Sequence, residues 1–446
     1  MRRLLSRAMA ACLMIGAVAP ARAADDVAAI LKSFFNEPDA TKRKALAATF
    51  AGIQPKEWAP FRALLHRAAP YDNLEPGVHR LKTPGDDVVP PVSYVLRVPP
   101  GYKADSPEGW PLLAGCQGTG GSGDGQLGMI QGLLGPDTDA WLIACPDAPE
   151  KDVYRVSRIM TDYPLGVLAD VRRRANVNSN RAILTGYSKG GYTTWGTILF
   201  SPGEWAGAMP MASWPLTEAR SAGCILYLEN VLGLPIQAHW GADDIRAGQT
   251  QGINTLSRDA AAEMKHLGAT RFEGIEYPGQ GHQLTLDAAK IRTFAASARR
   301  DPFPRTFRML FHHVWQGRAW WVRATVAAGK EFDFDAPLTL PVHRKEDIPQ
   351  TERDLYRRMG MEIVASAAED PNILVITARN LREIEVNLCP EMQDFSRPVR
   401  ITVNGAPRLN GKVKIDWFEL LETARRTRDF ERLVGSRVRC SVPLRR

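Results

Sequence analysis

Apolar positions follow three successive spacings along the chain. From Asp25 to Ala69 they recur at helical intervals: Val27, Ile30, Leu31 and Phe34 form one i, i+3, i+4, i+7 stripe, and Trp58, Phe61 and Leu65 form a second, with Pro38, Pro55 and Pro70 as breaks. The spacing predicts a small helical segment over residues 24–75 that packs on the main body of the protein. Short apolar runs follow at Val92–Val98, Leu112–Cys116, Trp141–Cys145, Ala182–Thr185, Pro235–Trp240 and Phe272–Tyr277, separated by amphipathic stretches such as Leu165–Arg174 and Thr255–Leu267. Strands that are apolar at successive positions are buried on both faces, and their alternation with helices builds a mostly parallel sheet flanked by helices. This α/β unit is expected over residues 76–299. Beyond Arg300 the texture turns to β-formers interrupted by turn residues: Arg305–His313, Arg318–Val326, Ile373–Ala378, Arg382–Leu388 and Val399–Asn404, with Asn404-Gly405 and Asn410-Gly411 as turns. A β-rich domain over residues 300–446 is the expectation, joined through Asp301-Pro302-Phe303-Pro304 and carrying one helix from Trp417 to Leu433.

Composition narrows the class. A chain of 446 residues with 44% hydrophobic and 24% charged positions is a folded, multi-unit protein rather than a disordered one. Its formal charge of +8 hints at an anionic partner, but Met1–Ala23 reads as a secretory signal, with Arg2, Arg3 and Arg7 ahead of an apolar stretch and Ala21-Arg22-Ala23 as a cleavage site. Without that segment 53 Lys+Arg face 49 Asp+Glu, a charge of +4, which gives no case for nucleic acid. No apolar stretch is long enough for a membrane anchor, so a secreted or periplasmic protein is expected. Cys116, Cys145, Cys224, Cys389 and Cys440 remain after cleavage. The odd count leaves at least one thiol unbridged; Cys389–Cys440 is the best intradomain pair, and five buried thiols is the alternative.

The chemistry centres on Gly186-Tyr187-Ser188-Lys189-Gly190, placed after the strand Ala182–Thr185 and before a helix running to Phe200. A strand that turns abruptly into a helix leaves no room for Cβ atoms two residues either side of the apex, and it lifts the apical hydroxyl to a helix N-terminus, where backbone N–H groups favour a developing oxyanion. A serine hydroxyl needs a base, and the base needs an orienting carboxylate. In this arrangement acid and histidine follow in that order, each after a strand. Gly241-Ala242-Asp243-Asp244 follows Pro235–Trp240, and Pro278-Gly279-Gln280-Gly281-His282 follows Phe272–Tyr277. His282 is the one histidine in a glycine-rich loop downstream of both; His239, His312 and His313 sit in strand-like runs and read as structural. The acid is open between Asp243 and Asp244. The loop Gly115–Gly121 and the start of the helix supply the oxyanion donors, with the Thr119 and Lys189 N–H groups as candidates. A competing pattern, Gly118-x-Gly120-x-x-Gly123 with Asp147 beyond the next strand, matches a dinucleotide fingerprint. Gly125, Gly128, Gly132 and Gly135 weaken the helix such a site needs, and the pattern leaves the serine, acid and histidine series unexplained.

Together these residues resemble an α/β-hydrolase, and more narrowly the secreted esterase and peptidase branch that holds prolyl oligopeptidases, feruloyl esterases and polyhydroxybutyrate depolymerases. The likeness runs from Val92 to Leu284. It rests on Pro100-Gly101-Tyr102 before Trp110-Pro111-Leu112, on Asn180–Ser188 with Gly190-Gly191-Tyr192, on Trp205-Ala206-Gly207-Ala208 and on Gly279-Gln280-Gly281-His282. The resemblance implies an α/β-hydrolase sheet, a triad of Ser188, His282 and Asp244 (three residues beyond Gly241), oxyanion donors at Thr119 and Lys189, and no cofactor or metal. It implies hydrolysis of a carboxylic ester, small or polysaccharide-linked, through an acyl-enzyme. A prolyl oligopeptidase-like peptidase and a non-catalytic glycan- or subunit-binding protein are the alternatives. Two positions depart from the pattern: Gln117, where histidine is common, and Lys189, where an apolar residue is common. The Lys189 side chain is expected to point to solvent, and Trp320-Trp321 to pack in a core or stack on sugar.

Overall fold

Eight strands form the central sheet of the protein in the order β1-β2-β4-β3-β5-β6-β7-β8. The computed structural model describes residues 24–51, 58–149, 157–219, 224–245, 248–341, 344 and 347–443; the predicted signal segment and Pro55 lie outside them. The strands are β1 Gly77–Lys82, β2 Ser93–Val98, β3 Trp110–Cys116, β4 Leu142–Pro146, β5 Val177–Tyr187, β6 Gly207–Met211, β7 Ile236–Gly241 and β8 Phe272–Tyr277. β1 and β2 are antiparallel, β2 runs antiparallel to β4, and every pair from β4 through β3, β5, β6 and β7 to β8 is parallel. β4, β6 and β7 are buried along their whole length, so that even Gln237 and His239 of β7 are enclosed.

Helices cover both faces. Three precede the sheet, α1 Ala24–Asn36, α2 Ala40–Ala48 and α3 Trp58–Ala68; α4 Gly123–Leu134, α5 Arg158–Arg174 and α6 Lys189–Phe200 lie between its strands, and the helices Ile253–His266 and Ala288–Ser297 complete the layer. α4 corrects the expectation that its glycines would spoil a helix. The Ser122 hydroxyl caps it by accepting from Gly125 N–H, and Leu127, Ile130 and Leu134 anchor it on the sheet, so packing overrides propensity.

The C-terminal part holds a four-stranded sheet, β10-β11-β14-β17, and a five-stranded one, β16-β15-β13-β12-β9. Their strands are β9 Thr306–Phe311, β10 Arg318–Ala319, β11 Val322–Ala327, β12 Met361–Ala367, β13 Ile373–Arg379, β14 Leu381–Leu388, β15 Val399–Val403, β16 Ala406–Gly411 and β17 Ser436–Ser441. β12, β16, β17 and a helix at Ile348–Met359 go beyond the sequence reading. The expected helix from Trp417 stops at Thr427, where Arg428 turns left-handed at φ 53°. These sheets share one core with the α/β unit. Asn230 ties them: its amide donates to Leu199 O at the end of α6 and to Leu310 O on β9, and its carbonyl accepts from Leu310 N–H.

The N-terminal helices build their apolar core with the C-terminal helix rather than with the large sheet. Leu31, Phe34, Phe50, Phe61 and Leu65 pack with Trp417, Leu420, Leu421 and Phe430. Arg43 and Glu422, 379 positions apart, close that contact at 2.9 Å. The five cysteines among the described residues are free and buried. The Cys389–Cys440 bridge is not formed: Cys440 pairs across β17 and β14 with Ile384, five positions along the strand from Cys389.

Candidate active site

β5 runs through the middle of the sheet and ends at Tyr187. The next residue, Ser188, takes φ 54° and ψ −113°, and α6 begins at Lys189. A non-glycine residue held in this region costs about 1–3 kcal/mol, a strain met where a side chain must be aimed. Its surroundings enforce the turn. A Cβ on Gly186 would meet Gly190 O at 2.3 Å, one on Gly190 would meet Cys116 O at 2.0 Å, and one on Gly191 would meet Ser213 Oγ at 2.3 Å. Ser188 N–H donates to Met211 O at the end of β6 (2.9 Å), which fixes the apex to the neighbouring strand.

Two loops that leave the same edge of the parallel sheet reach the serine. Asp244 follows β7 and His282 follows β8. His282 Nε2 lies 2.9 Å from Ser188 Oγ, and His282 Nδ1 lies 2.9 Å from Asp244 Oδ2. The histidine side chain is 41% exposed and the aspartate 11%. Asp243 is exposed and makes no contact with the ring; its N–H donates to Gln280 O, which ties the acid loop to the histidine loop. Gly241 is required at that crossing, because a Cβ there would meet Gly281 O at 2.2 Å.

Tyr187 is the member of this site that sequence spacing does not reveal. Its hydroxyl donates to His282 O and accepts from Leu284 N–H at 2.9 Å, so the residue before the serine grips the backbone immediately after the histidine. Burial raises its pKa and keeps the phenol protonated. His239 lies on β7 in the sheet, hydrogen-bonded to Tyr277 Oη and Gln237 Oε1, and burial lowers its pKa to about 4. It packs as a neutral structural residue.

The loop after β3 passes beside the serine. A Cβ on Gly118 would lie 3.3 Å from Tyr187 O and 3.8 Å from Ser188 Cβ, so this backbone passes in close contact with the apex. Thr119 is exposed on this loop, and Lys189 opens α6, where backbone N–H groups point out of the helix. The Lys189 side chain is 4% exposed, which overturns its expected solvent orientation. Asp147 Oδ1 accepts from Gly123 N–H at 2.8 Å. A carboxylate therefore sits at the N-terminus of α4, where the dinucleotide pattern would need a pyrophosphate, and the two anions would repel.

No protein-family model matches the chain, and no curated protein matches it. Among solved structures it is similar to a thermostable esterase (19% identity, 50% of this chain and 63% of that one, TM-score 0.38). It is also similar to a ferulic acid esterase (14%, 50% and 99%, 0.41) and to an acylaminoacyl peptidase from Pyrococcus horikoshii (12%, 49% and 40%, 0.37). Likenesses of this depth concern architecture alone. The sheet order, the parallel run from β4 to β8 and the strand–turn–helix at Ser188 define the α/β-hydrolase fold.

Proposed function

We propose that the protein is a serine hydrolase that cleaves a carboxylic ester. The carrying observation is the chain of contacts Ser188 Oγ, His282 Nε2, His282 Nδ1 and Asp244 Oδ2, each step 2.9 Å, built on a strained apex. Ser188 Oγ attacks the ester carbonyl while His282 takes its proton. The tetrahedral oxyanion is held by the N–H groups of Thr119 and Lys189. Its collapse expels the alcohol, protonated by His282, and leaves an acyl group on Ser188; water, deprotonated by the same imidazole, then releases the acid. Asp244 keeps Nδ1–H pointed away from the serine and stabilises the imidazolium. Every proton goes out and back through one ring, so the cycle uses no cofactor.

Labelling with a fluorophosphonate tests the reading: an adduct on Ser188 that is lost in Ser188→Ala supports it, and an active protein that takes no label refutes it. Aryl esters turned over faster than proline-type peptide amides support an ester substrate, small or polysaccharide-linked; the reverse order makes the protein a peptidase. Export rests on the pattern of Met1–Ala23, and N-terminal sequencing of the protein recovered from outside the cytoplasm checks for a start at Ala24.

A further inference from the structure

A second cavity, of about 360 Å³, lies where the α/β unit, the four-stranded sheet and the C-terminal helix meet. It is a different place from the serine site. Glu204 on its wall belongs to the turn that follows α6, and Ser188 precedes the same helix, so twelve helical residues, about 18 Å, separate them.

Its walls are cationic. Arg318, Arg323, Arg426, Arg432 and Arg437 face three carboxylates, Glu204, Glu385 and Asp429. Those carboxylates are already engaged. Asp429 takes Arg300 on both oxygens at 2.8 and 2.7 Å, Glu204 takes Arg172 at 3.1 Å and also Arg432, and Glu385 takes Arg437 and Arg439 at 3.4 and 3.8 Å. The buried arginines hold Glu204 well down, to about 2, against the effect of its burial. Arg323 and Arg426 have no hydrogen-bond or ion-pair partner among the described residues. A cleft with surplus guanidinium groups focuses positive potential, and a guanidinium fork matches an oxyanion such as carboxylate.

Two further atoms on this wall are buried without a partner among the described residues: Asn387 Oδ1, an acceptor, and Arg437 Nε, a donor. An inorganic anion could satisfy the donors but not Asn387 Oδ1, which calls for a donor such as a hydroxyl. Trp320 adds an apolar wall. It is held at φ 43°, costly for an aromatic residue, with its indole against Gly203, where a Cβ would come within 3.1 Å. Its neighbour Trp321 is fully buried and donates to Pro304 O, so the tandem divides between core and cavity.

We infer that this cavity binds a small hydroxylated carboxylate, a sugar acid, with its carboxylate on Arg323 and Arg426 and a hydroxyl on Asn387 Oδ1. The volume is within the range of small-molecule sites. The inference does not rest on the reading of the serine site.

Isothermal titration of the full chain with D-glucuronate and D-galacturonate, with D-glucose and sodium sulfate as controls, tests it. The expected result is saturable binding of at least one uronate, weakened by salt, with none of glucose. Arg323→Gln/Arg426→Gln should weaken uronate binding at least tenfold, and Asn387→Leu should weaken it severalfold, with the thermal midpoint of each variant near that of the parent. Both arginines are exposed and unpaired, so their loss leaves the core intact. Equal binding of glucose, binding of sulfate alone, absence of uronate binding, or uronate affinity unchanged in the double variant would each overturn the assignment.

Discussion

Tyr187→Phe removes one oxygen atom and leaves the ring, the strand and the serine in place. Two backbone groups lose their partner, His282 O and Leu284 N–H, and they anchor the chain as it leaves the proposed base. An unmet group in a part-buried position costs about 1–3 kcal/mol, and the loop can recover some of that by turning toward water. Each 1.4 kcal/mol spent on bringing the ring back to Ser188 is a tenfold loss of rate. The expected outcome is a fall of about ten- to a hundredfold in both the rate of fluorophosphonate labelling and kcat, with KM within about threefold, because the hydroxyl touches the histidine loop and not the substrate. A merely structural role would lower thermal stability and leave the labelling rate of the folded protein alone. Labelling at the parental rate, with the parental pH profile, would refute the grip.

Asp244→Asn should lower kcat by about 10³–10⁴-fold while Asp243→Asn stays within about twofold, since only the first faces Nδ1; comparable losses in the two variants would contradict the contact. Asp429→Ala strips the buried carboxylate from Arg300, with both side chains under 4% exposed, and should cost about 3–5 kcal/mol in urea melts; a loss under 1 kcal/mol would show the pair to be dispensable. Burial lowers the pKa of both His239 and His312 to about 4. The unfolded chain takes up those protons near pH 6.5, so stability is full above that pH and falls between 6.5 and 4. Unfolding at pH 5 should be easier than at pH 7 by about 2 kcal/mol per histidine. His313, whose pKa is raised by Glu218 and Glu331 despite its burial, opposes this with one group. Equal stability at the two pH values would contradict the buried neutral state.

The alternation of strands and helices, the apex and the three residues that converge on it left local marks in the sequence; the order of the strands did not. Gly186 is fixed by the turn itself, where a Cβ would meet Gly190 O, and the pentapeptide marks that turn without the fold; Gly190, Gly191 and Gly241 are fixed by Cys116, Ser213 and Gly281 from other segments. Features set by distant neighbours were opaque. β6, Gly-Ala-Met-Pro-Met, has no β-branched residue and a proline at 210, yet burial between β5 and β7 makes it a central strand. The grip of Tyr187 spans 95 positions, and nothing in the pentapeptide announces where its hydroxyl goes. Lys189 sits where exposure is the default for a lysine, and the packing of α6 hides it. The cysteines were undecided between a bridge and thiols because the register of β17 on β14, which separates Cys440 from Cys389, is a tertiary fact.

Two segments far apart in the chain, the helices α1 to α3 and the helix from Trp417, lock into one apolar cluster, with the rings of Phe50 and Trp417 tilted by 30° at 5.1 Å between centroids. During synthesis the first three helices leave the ribosome long before their partner exists, and by themselves they have too little surface to bury. They gain their apolar cover only when the segment around Trp417 arrives, and the entropy of closing so long a loop sets that docking after the local contacts.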